Sequence, residues 1–132
     1  MSIEHRDTDE GAVSAELVIA SPLAMFLLLL VVHFGVWLHA VHIADTAAAQ
    51  ALTAARAEDG TAQAGRQRAA DVLAQLGDGV LHVDSIDVRR DAARGVTVRI
   101  DGASVQVVPF LRMPVQATAA GPIDQFLAPP NR

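Results

Sequence analysis

The sequence predicts an α+β protein in which a long N-terminal helix, apolar enough to cross a membrane, leads into a small antiparallel β-sheet domain. Residues 17–43 contain no aspartate, glutamate, lysine or arginine, which indicates a membrane helix. The next segment is crowded with alanine, the best helix former. Residues 86–101 then alternate apolar and polar side chains, a period that is typical of half-buried strands.

Composition limits the class of protein. The chain has 132 residues, a net charge of −5 and no cysteine, which excludes a disulfide framework and any thiolate metal site. The part beyond the membrane segment is long enough for one modest core. The arginines are interleaved with aspartates, whereas a nucleic-acid groove needs basic residues gathered on one face. We therefore expect no nucleic-acid partner.

The first structural element is a predicted transmembrane helix over residues 12–42. A hydrocarbon core of about 30 Å needs about 20 apolar residues, and the apolar run exceeds that length. Pro22 lies in the first turns of this helix, where it removes one backbone donor and tends to bend the axis. Trp37, near the opposite end, fits the aromatic belt at a membrane interface.

A cleaved secretory signal is an alternative for the same segment. Such a signal has a basic leader, a short apolar region and small residues at its cleavage site. The leader here is acidic, with a single basic residue, Arg6, in residues 1–10, and its apolar run is too long. Ala40, Ala44 and Ala47 would still suit a signal peptidase, so this alternative stays open.

Beyond the membrane, residues 43–77 are predicted to be helical. The first helix should continue to residue 58 and stop at Asp59-Gly60, and a second should cover residues 63–76, where apolar side chains recur at helical spacing. Gly77 ends it. The apolar side chains of the first helix are mostly alanine, so we expect this face to pack closely against a neighbouring helix.

Residues 78–120 are predicted to form the antiparallel sheet. Segments 86–90 and 95–101 should make a hairpin around a turn at 91–95, and residues 104–108 and 114–119 are further strand candidates. The predicted register places Ile86 opposite Ile100, Val88 opposite Val98 and Asp87 opposite Arg99. Pro109 and Pro114 suit edges and corners of a sheet. Residues 121–132, with three prolines, are expected to be a flexible tail.

Glu16 is the residue that folding alone explains least. It opens the charge-free run five residues after Gly11, and a carboxylate at the edge of the hydrocarbon costs free energy unless it snorkels or finds a partner. In an ordinary membrane anchor it would be an interfacial glutamate favoured by the positive end of the helix dipole. In a functional role it would need a partner of opposite charge.

A short hydrophilic leader that ends in glycine, a glutamate five residues later and an apolar helix resemble the class III signal of type IV pilins and pseudopilins. The finer pattern resembles the TadE-like family of the tight-adherence (Tad) pilus system. Its members share a glutamate, a proline six residues later, a leucine-rich stretch and then Phe-Gly. This chain has Glu16, Pro22, residues 27–30, and Phe34-Gly35. It departs at His33, where the family often has an acidic residue.

The resemblance implies a pilin-like fold and a function. Residues 1–11 would be a leader that a prepilin peptidase removes on the cytoplasmic side, cutting after Gly11 and leaving Ala12 as the new amino terminus. Glu16 would then pair with the amino terminus of a neighbouring subunit and set the axial register. The chain would be a single-pass protein of the cell membrane with its C-terminal domain outside. Its partners would be other pilin-like subunits, the membrane assembly platform and the bilayer.

The candidate function is therefore that of a TadE-like minor pseudopilin, and the alternative is an unprocessed single-pass anchor whose outer domain binds a ligand or partner protein. We expect no catalytic residues and no cofactor, because no nucleophile stands beside a base and no phosphate-binding glycine loop is present. His39, His42 and Asp45 at three-residue spacing form a weak candidate for zinc or copper, with interfacial histidines the simpler interpretation. We expect no metal site.

Overall fold

One helix of 50 residues, α1 (Asp7–Arg56), forms the long axis of the protein. The structure, a computed structural model, describes residues 7–124, so the predictions for the start of the leader and for residues 125–132 lie outside the described residues. At 1.5 Å per residue α1 is about 75 Å long. It continues past residue 42 without a break, so the predicted membrane helix and the helix after it are one element.

A second helix, α2 (Ala62–Leu76), folds back on α1. Thr61 caps its N-terminus with a side-chain oxygen that accepts a hydrogen bond from the Ala64 backbone N–H at 3.0 Å. At its C-terminus the Gly77 N–H donates to the Leu73 carbonyl at 2.8 Å. The prediction of a second helix that Gly77 ends is confirmed.

Three antiparallel strands form one sheet in the order β1-β2-β3, with β1 at Leu81–Asp91, β2 at Gly95–Ser104 and β3 at Pro114–Gly121. Gly95 has φ of +90°, which the tight turn of the first hairpin requires and which glycine adopts without strain. The predicted register is confirmed in full, with Ile86 opposite Ile100, Val88 opposite Val98 and Asp87 opposite Arg99.

The ion pairs of Asp87 and Arg99 run along the strands, Asp87 to Arg89 and Arg99 to Asp101, both at 2.8 Å, because residues two apart on a strand share a face. Two predictions for the end of the chain need correction. The predicted strand at 104–108 is wrong: β2 ends at Ser104 and the chain leaves the sheet. Residues 121–124, predicted as the start of a flexible tail, are held in the fold, because Gly121 ends β3 and Asp124 pairs with Arg56 at 2.6 Å.

The core lies between one face of the sheet and the two helices. α1 contributes mainly alanine to it, so the helices and the sheet approach one another closely, as the sequence predicted. The buried side chains are Ala40, Ile43, Ala44, Ala47, Ala48, Ala51 and Ala55 of α1, Ala69, Val72 and Leu73 of α2, and Val88, Val96, Val98, Ile100, Val115 and Ala117 of the sheet.

Gly65 marks the tightest point of this packing. A Cβ atom there would lie 2.9 Å from the Ala55 Cβ and 3.1 Å from both the Ala51 carbonyl oxygen and a Val88 methyl group. These neighbours are backbone or short side chains and cannot move aside cheaply. The glycine is therefore needed for the contact between α1 and α2.

We predict that Gly65→Val destabilises the full-length protein by about 1–3 kcal/mol through overpacking. Ala64→Val, on the exposed side of the same turn, is the matched control and should cost only the helix-propensity difference of about 0.6 kcal/mol. Thermal unfolding in detergent micelles measures both. Equal losses in the two variants would show that this helix contact is not close-packed.

Candidate functional site: the exposed segment of α1 and the junction at His33

The first part of α1, residues 11–32, is exposed along almost its whole length, with only Leu30 half-buried. At 1.5 Å per residue it is about 33 Å long, close to the thickness of a bilayer's hydrocarbon core. Within Gly11–Arg56, the only membrane-span candidate among residues 7–124, just 6% of the apolar window is buried. A core helix of a soluble domain would be mostly buried, so this segment has the length and exposure of a membrane span.

Four of the residues singled out in the sequence, Gly11, Ala12, Glu16 and Pro22, lie on this exposed segment. The structure does not bring them near the sheet domain. A Cβ at Gly11 would meet nothing within 4 Å, so no packing among the described residues requires a glycine there. Glu16 and Pro22 are about 9 Å apart along the axis and face different directions, because six residues turn the helix by about 600°.

The exposed segment ends at His33, which is only 1% exposed. Its Nδ1 atom accepts hydrogen bonds from the backbone N–H groups of Val107 and Val108, both at 3.2 Å. These two donors belong to the segment that was predicted as a strand. They bond to a helix side chain instead of a neighbouring strand, which is the physical reason why β2 stops at Ser104.

The two hydrogen bonds require a lone pair on Nδ1 of the His33 ring, which the neutral tautomer with its proton on Nε2 supplies. Nε2 is buried and has no hydrogen-bond partner among the described residues, so the ring is held through Nδ1 alone.

Residues 105–113, here called the junction loop, connect β2 to β3 and lie against α1. At the base of the loop the Ser104 N–H donates to the Met113 carbonyl at 3.1 Å, and the Trp37 indole N–H donates to the Pro114 carbonyl at 2.9 Å. The loop is thus attached to α1 at Trp37 and, through its own backbone, at His33. From His33 onward one side of α1 is covered by the folded domain.

Phe34 and Gly35 lie beside this junction on the outer side of α1. Phe34 is exposed and its ring packs on Trp37 with a centroid distance of 5.4 Å. A Cβ at Gly35 would meet nothing within 4 Å. The chain's own packing therefore does not need glycine at position 35, and its small size would matter only to a neighbouring molecule.

The outer face of the sheet carries the only shifted pKa values among residues 11–124. Hydrogen bonds from Arg99 and then Gln116 lower the pKa of Asp101, and the bond with Asp101 raises the pKa of Arg99. A lowered carboxyl pKa adds stability above the unfolded value, and this is lost as the pH falls through the folded value. Asp101 is close to solvent, so the contribution is small.

Metal binding gains no support from the geometry. Among the residues described, no group of three or more His, Cys, Asp or Glu side chains is placed to hold a metal ion. His42 Nδ1 lies 2.9 Å from the Leu38 carbonyl of its own helix. His39, His42 and Asp45 are all exposed on the surface of α1.

These features define a class of protein: a small α+β domain built onto the second half of a helix whose first half is long, apolar and exposed. Residues 11–53 match the family described as TadE-like protein, which confirms the family resemblance over 43 of the 132 residues. The matched region contains Glu16, Pro22 and Phe34-Gly35. No curated protein and no solved structure matches the chain.

Sequence reasoning missed the junction. The sequence pattern marks His33 as a departure from the family pattern but does not connect it with the sheet domain, and it predicts residues 104–108 as a strand. Two signals were present in the sequence: a histidine within the apolar part of a helix, and a Pro109-Phe110 pair that interrupts the strand pattern. Neither signal indicates that these two segments are in contact, because His33 and Val108 are 75 positions apart.

We predict that His33→Phe weakens the junction, because two N–H groups at the junction lose their acceptor, at a cost of about 1–3 kcal/mol. Hydrogen exchange of the Val107 and Val108 amides should accelerate in this variant. His33→Asn is the matched control, since its side-chain oxygen can replace Nδ1 as acceptor and should retain most of the protection. Unchanged exchange in His33→Phe would contradict the assignment.

Proposed function

We propose that this protein is a TadE-like minor pseudopilin, a membrane-anchored structural and assembly component of a Tad pilus or a related secretion machine. The proposal assigns it no catalysis and no cofactor. A prepilin peptidase would cut after Gly11, and the mature chain would begin at Ala12 and cross the cell membrane once, with its sheet domain outside. Its partners would be pilin-like subunits and the membrane assembly platform.

The match of residues 11–53 to the TadE-like family is the observation that carries the proposal. The form of α1 supports it. The helix is exposed over a length of about one bilayer and is then covered on one side by the sheet domain. This form suits a subunit whose apolar segment lies in the membrane. The exposed segment, and the outer side of α1 just beyond it, are then available for lateral packing against neighbouring helices, where a residue without a side chain such as Gly35 permits close approach.

The position of Glu16 also supports a role in assembly. The folded domain begins at His33, so a hydrocarbon core of about 20 helical residues reaches back to about residue 13. Glu16 would then lie inside the hydrocarbon by about 5 Å. A carboxylate at that depth needs a partner, and the positively charged amino terminus of a neighbouring processed subunit has the required charge. The low dielectric strengthens such a pair.

The alternative of a cleaved secretory signal is disfavoured by the packing of α1. Ala40, Ala44 and Ala47, the residues that would suit a signal peptidase, are buried in the core in the middle of a continuous helix. Cleavage among them would also detach His33 and Trp37, which bond to residues 107, 108 and 114. The unprocessed single-pass anchor stays the second candidate, and it has no use for Gly11 or Glu16.

We predict that the protein purified from its own membranes lacks residues 1–11 when the cognate prepilin peptidase is present and is full-length without it. Gly11→Leu should block this processing, because the peptidase needs a glycine before the cut. Gly35→Leu, another exposed glycine of α1, is the matched control and should be processed normally. Intact mass distinguishes the products, and a full-length mass under both conditions would favour the plain anchor.

We further predict that Glu16→Gln inserts into the membrane and is processed but fails to support pilus assembly, because the neutral amide cannot pair with an amino terminus. Glu58→Gln, which removes an exposed carboxylate in the turn just after α1, is the control and should assemble. Piliation by electron microscopy and membrane fractionation measure the two properties separately. Normal piliation with Glu16→Gln would refute the assembly role.

A further inference from the structure

The tip of the junction loop carries an apolar side chain with no contact to account for it. Phe110 is fully exposed and has φ of +70°, a left-handed conformation that bulky side chains rarely adopt. Leu111 beside it is also exposed. The turn is closed by a hydrogen bond from the Leu111 N–H to the Val108 carbonyl at 3.3 Å. The loop therefore holds two large apolar side chains outward at the cost of backbone strain.

The hydrogen bonds to α1 show which way the tip points. The base of the loop is attached at the level of Trp37, through Pro114. The residue just before the tip, Val108, is attached at the level of His33, four residues or about 6 Å closer to the exposed half of the helix. From base to tip, the loop thus runs toward the apolar segment and away from the sheet.

We propose that this tip, residues 109–112, is a second membrane contact, in which Phe110 and Leu111 enter the boundary between lipid headgroups and acyl chains. The proposal rests on membrane anchoring by α1, which is part of the proposed function. If residues 11–32 span the bilayer, its outer hydrocarbon boundary lies near His33, at the level of the tip. The bilayer surface is then the first apolar environment that these side chains meet.

The charge next to the tip suits the same partner. Arg112 follows Leu111 directly and is exposed, and its guanidinium lies 3.5 Å from the Asp84 carboxylate. Asp84 occupies the irregular position in the pairing of β1 with β2. An arginine at the rim of an apolar tip can bond to lipid phosphates, while Asp84 keeps it near the loop. Trp37, at the base, is the kind of residue that lies at headgroup level.

This contact would fix the domain relative to the bilayer. A single helix leaves its domain free to tilt and to rotate about the helix axis. A second apolar contact, on the side of α1 that carries the loop, restricts both motions. The exposed outer side of α1, with Phe34 and Gly35, would then face along the membrane, where neighbouring subunits would approach.

Single-site fluorescence in vesicles tests the proposal, and the absence of native cysteine makes labelling specific. The full chain is reconstituted in vesicles of phosphatidylcholine and phosphatidylglycerol, with an environment-sensitive probe attached through Phe110→Cys. Met25→Cys, within the exposed apolar segment, reports helix insertion. Ala93→Cys, in the hairpin turn at the opposite end of the sheet, is the exposed control. Lipids with a spin label at a shallow acyl position serve as quenchers.

We expect the probes at positions 25 and 110 to be quenched several-fold more strongly than the probe at 93. Quenching at 25 without quenching at 110 would overturn the loop contact and leave membrane anchoring intact. Quenching at neither position would overturn both. A probe at 110 that is shielded from water but not quenched by lipid, in proportion to protein density, would show that another copy of the chain covers the tip and would also overturn the proposal.

Discussion

The acceptor contact between His33 Nδ1 and the backbone of Val107 and Val108 is the constraint on which the rest of the structure depends. It divides one continuous helix into an exposed apolar half and a half that forms the core of a domain. Without it the junction loop would have two unpaired N–H groups and no fixed position against α1. The contact therefore determines where the folded domain begins along the helix, and this in turn sets the length of helix that is left exposed.

The packed half of α1 makes the domain inseparable from its helix. Its core side chains are mostly alanine, and each buries little area, so stability depends on the close approach of α1 to α2 and the sheet. At Gly65 this approach is so close that a Cβ atom does not fit. Within residues 7–124 the sheet has three strands, and it buries its apolar face against the helices. A truncated domain without residues 40–55 would lose one wall of its core. The long helix and the sheet domain are thus one folding unit.

Local pattern predicted much of this fold. The alternation in β1 and β2 is regular enough to give the register of Ile86 with Ile100, because a shift by one residue would expose every apolar side chain. The junction loop could not be predicted in the same way. Val105, Val107 and Val108 resemble a strand, but the N–H groups of Val107 and Val108 donate to a histidine more than 70 residues away in sequence and not to a neighbouring strand. Gly11 and Glu16 were singled out by pattern alone, because both lie on the exposed segment and no packing among the described residues indicates a function for either of them.

The junction and Glu16 are about 25 Å apart along α1, but the depth of one would determine the depth of the other. A simple apolar helix can slide along the bilayer normal until its charged end reaches water. Here the folded domain and the apolar tip at Phe110 would stop that movement at His33, and Glu16 would be held below the opposite surface. Its burial would then be imposed by contacts at the other end of the helix. On the proposed function, a neighbouring amino terminus relieves that burial, so the position of the loop would help to make assembly favourable.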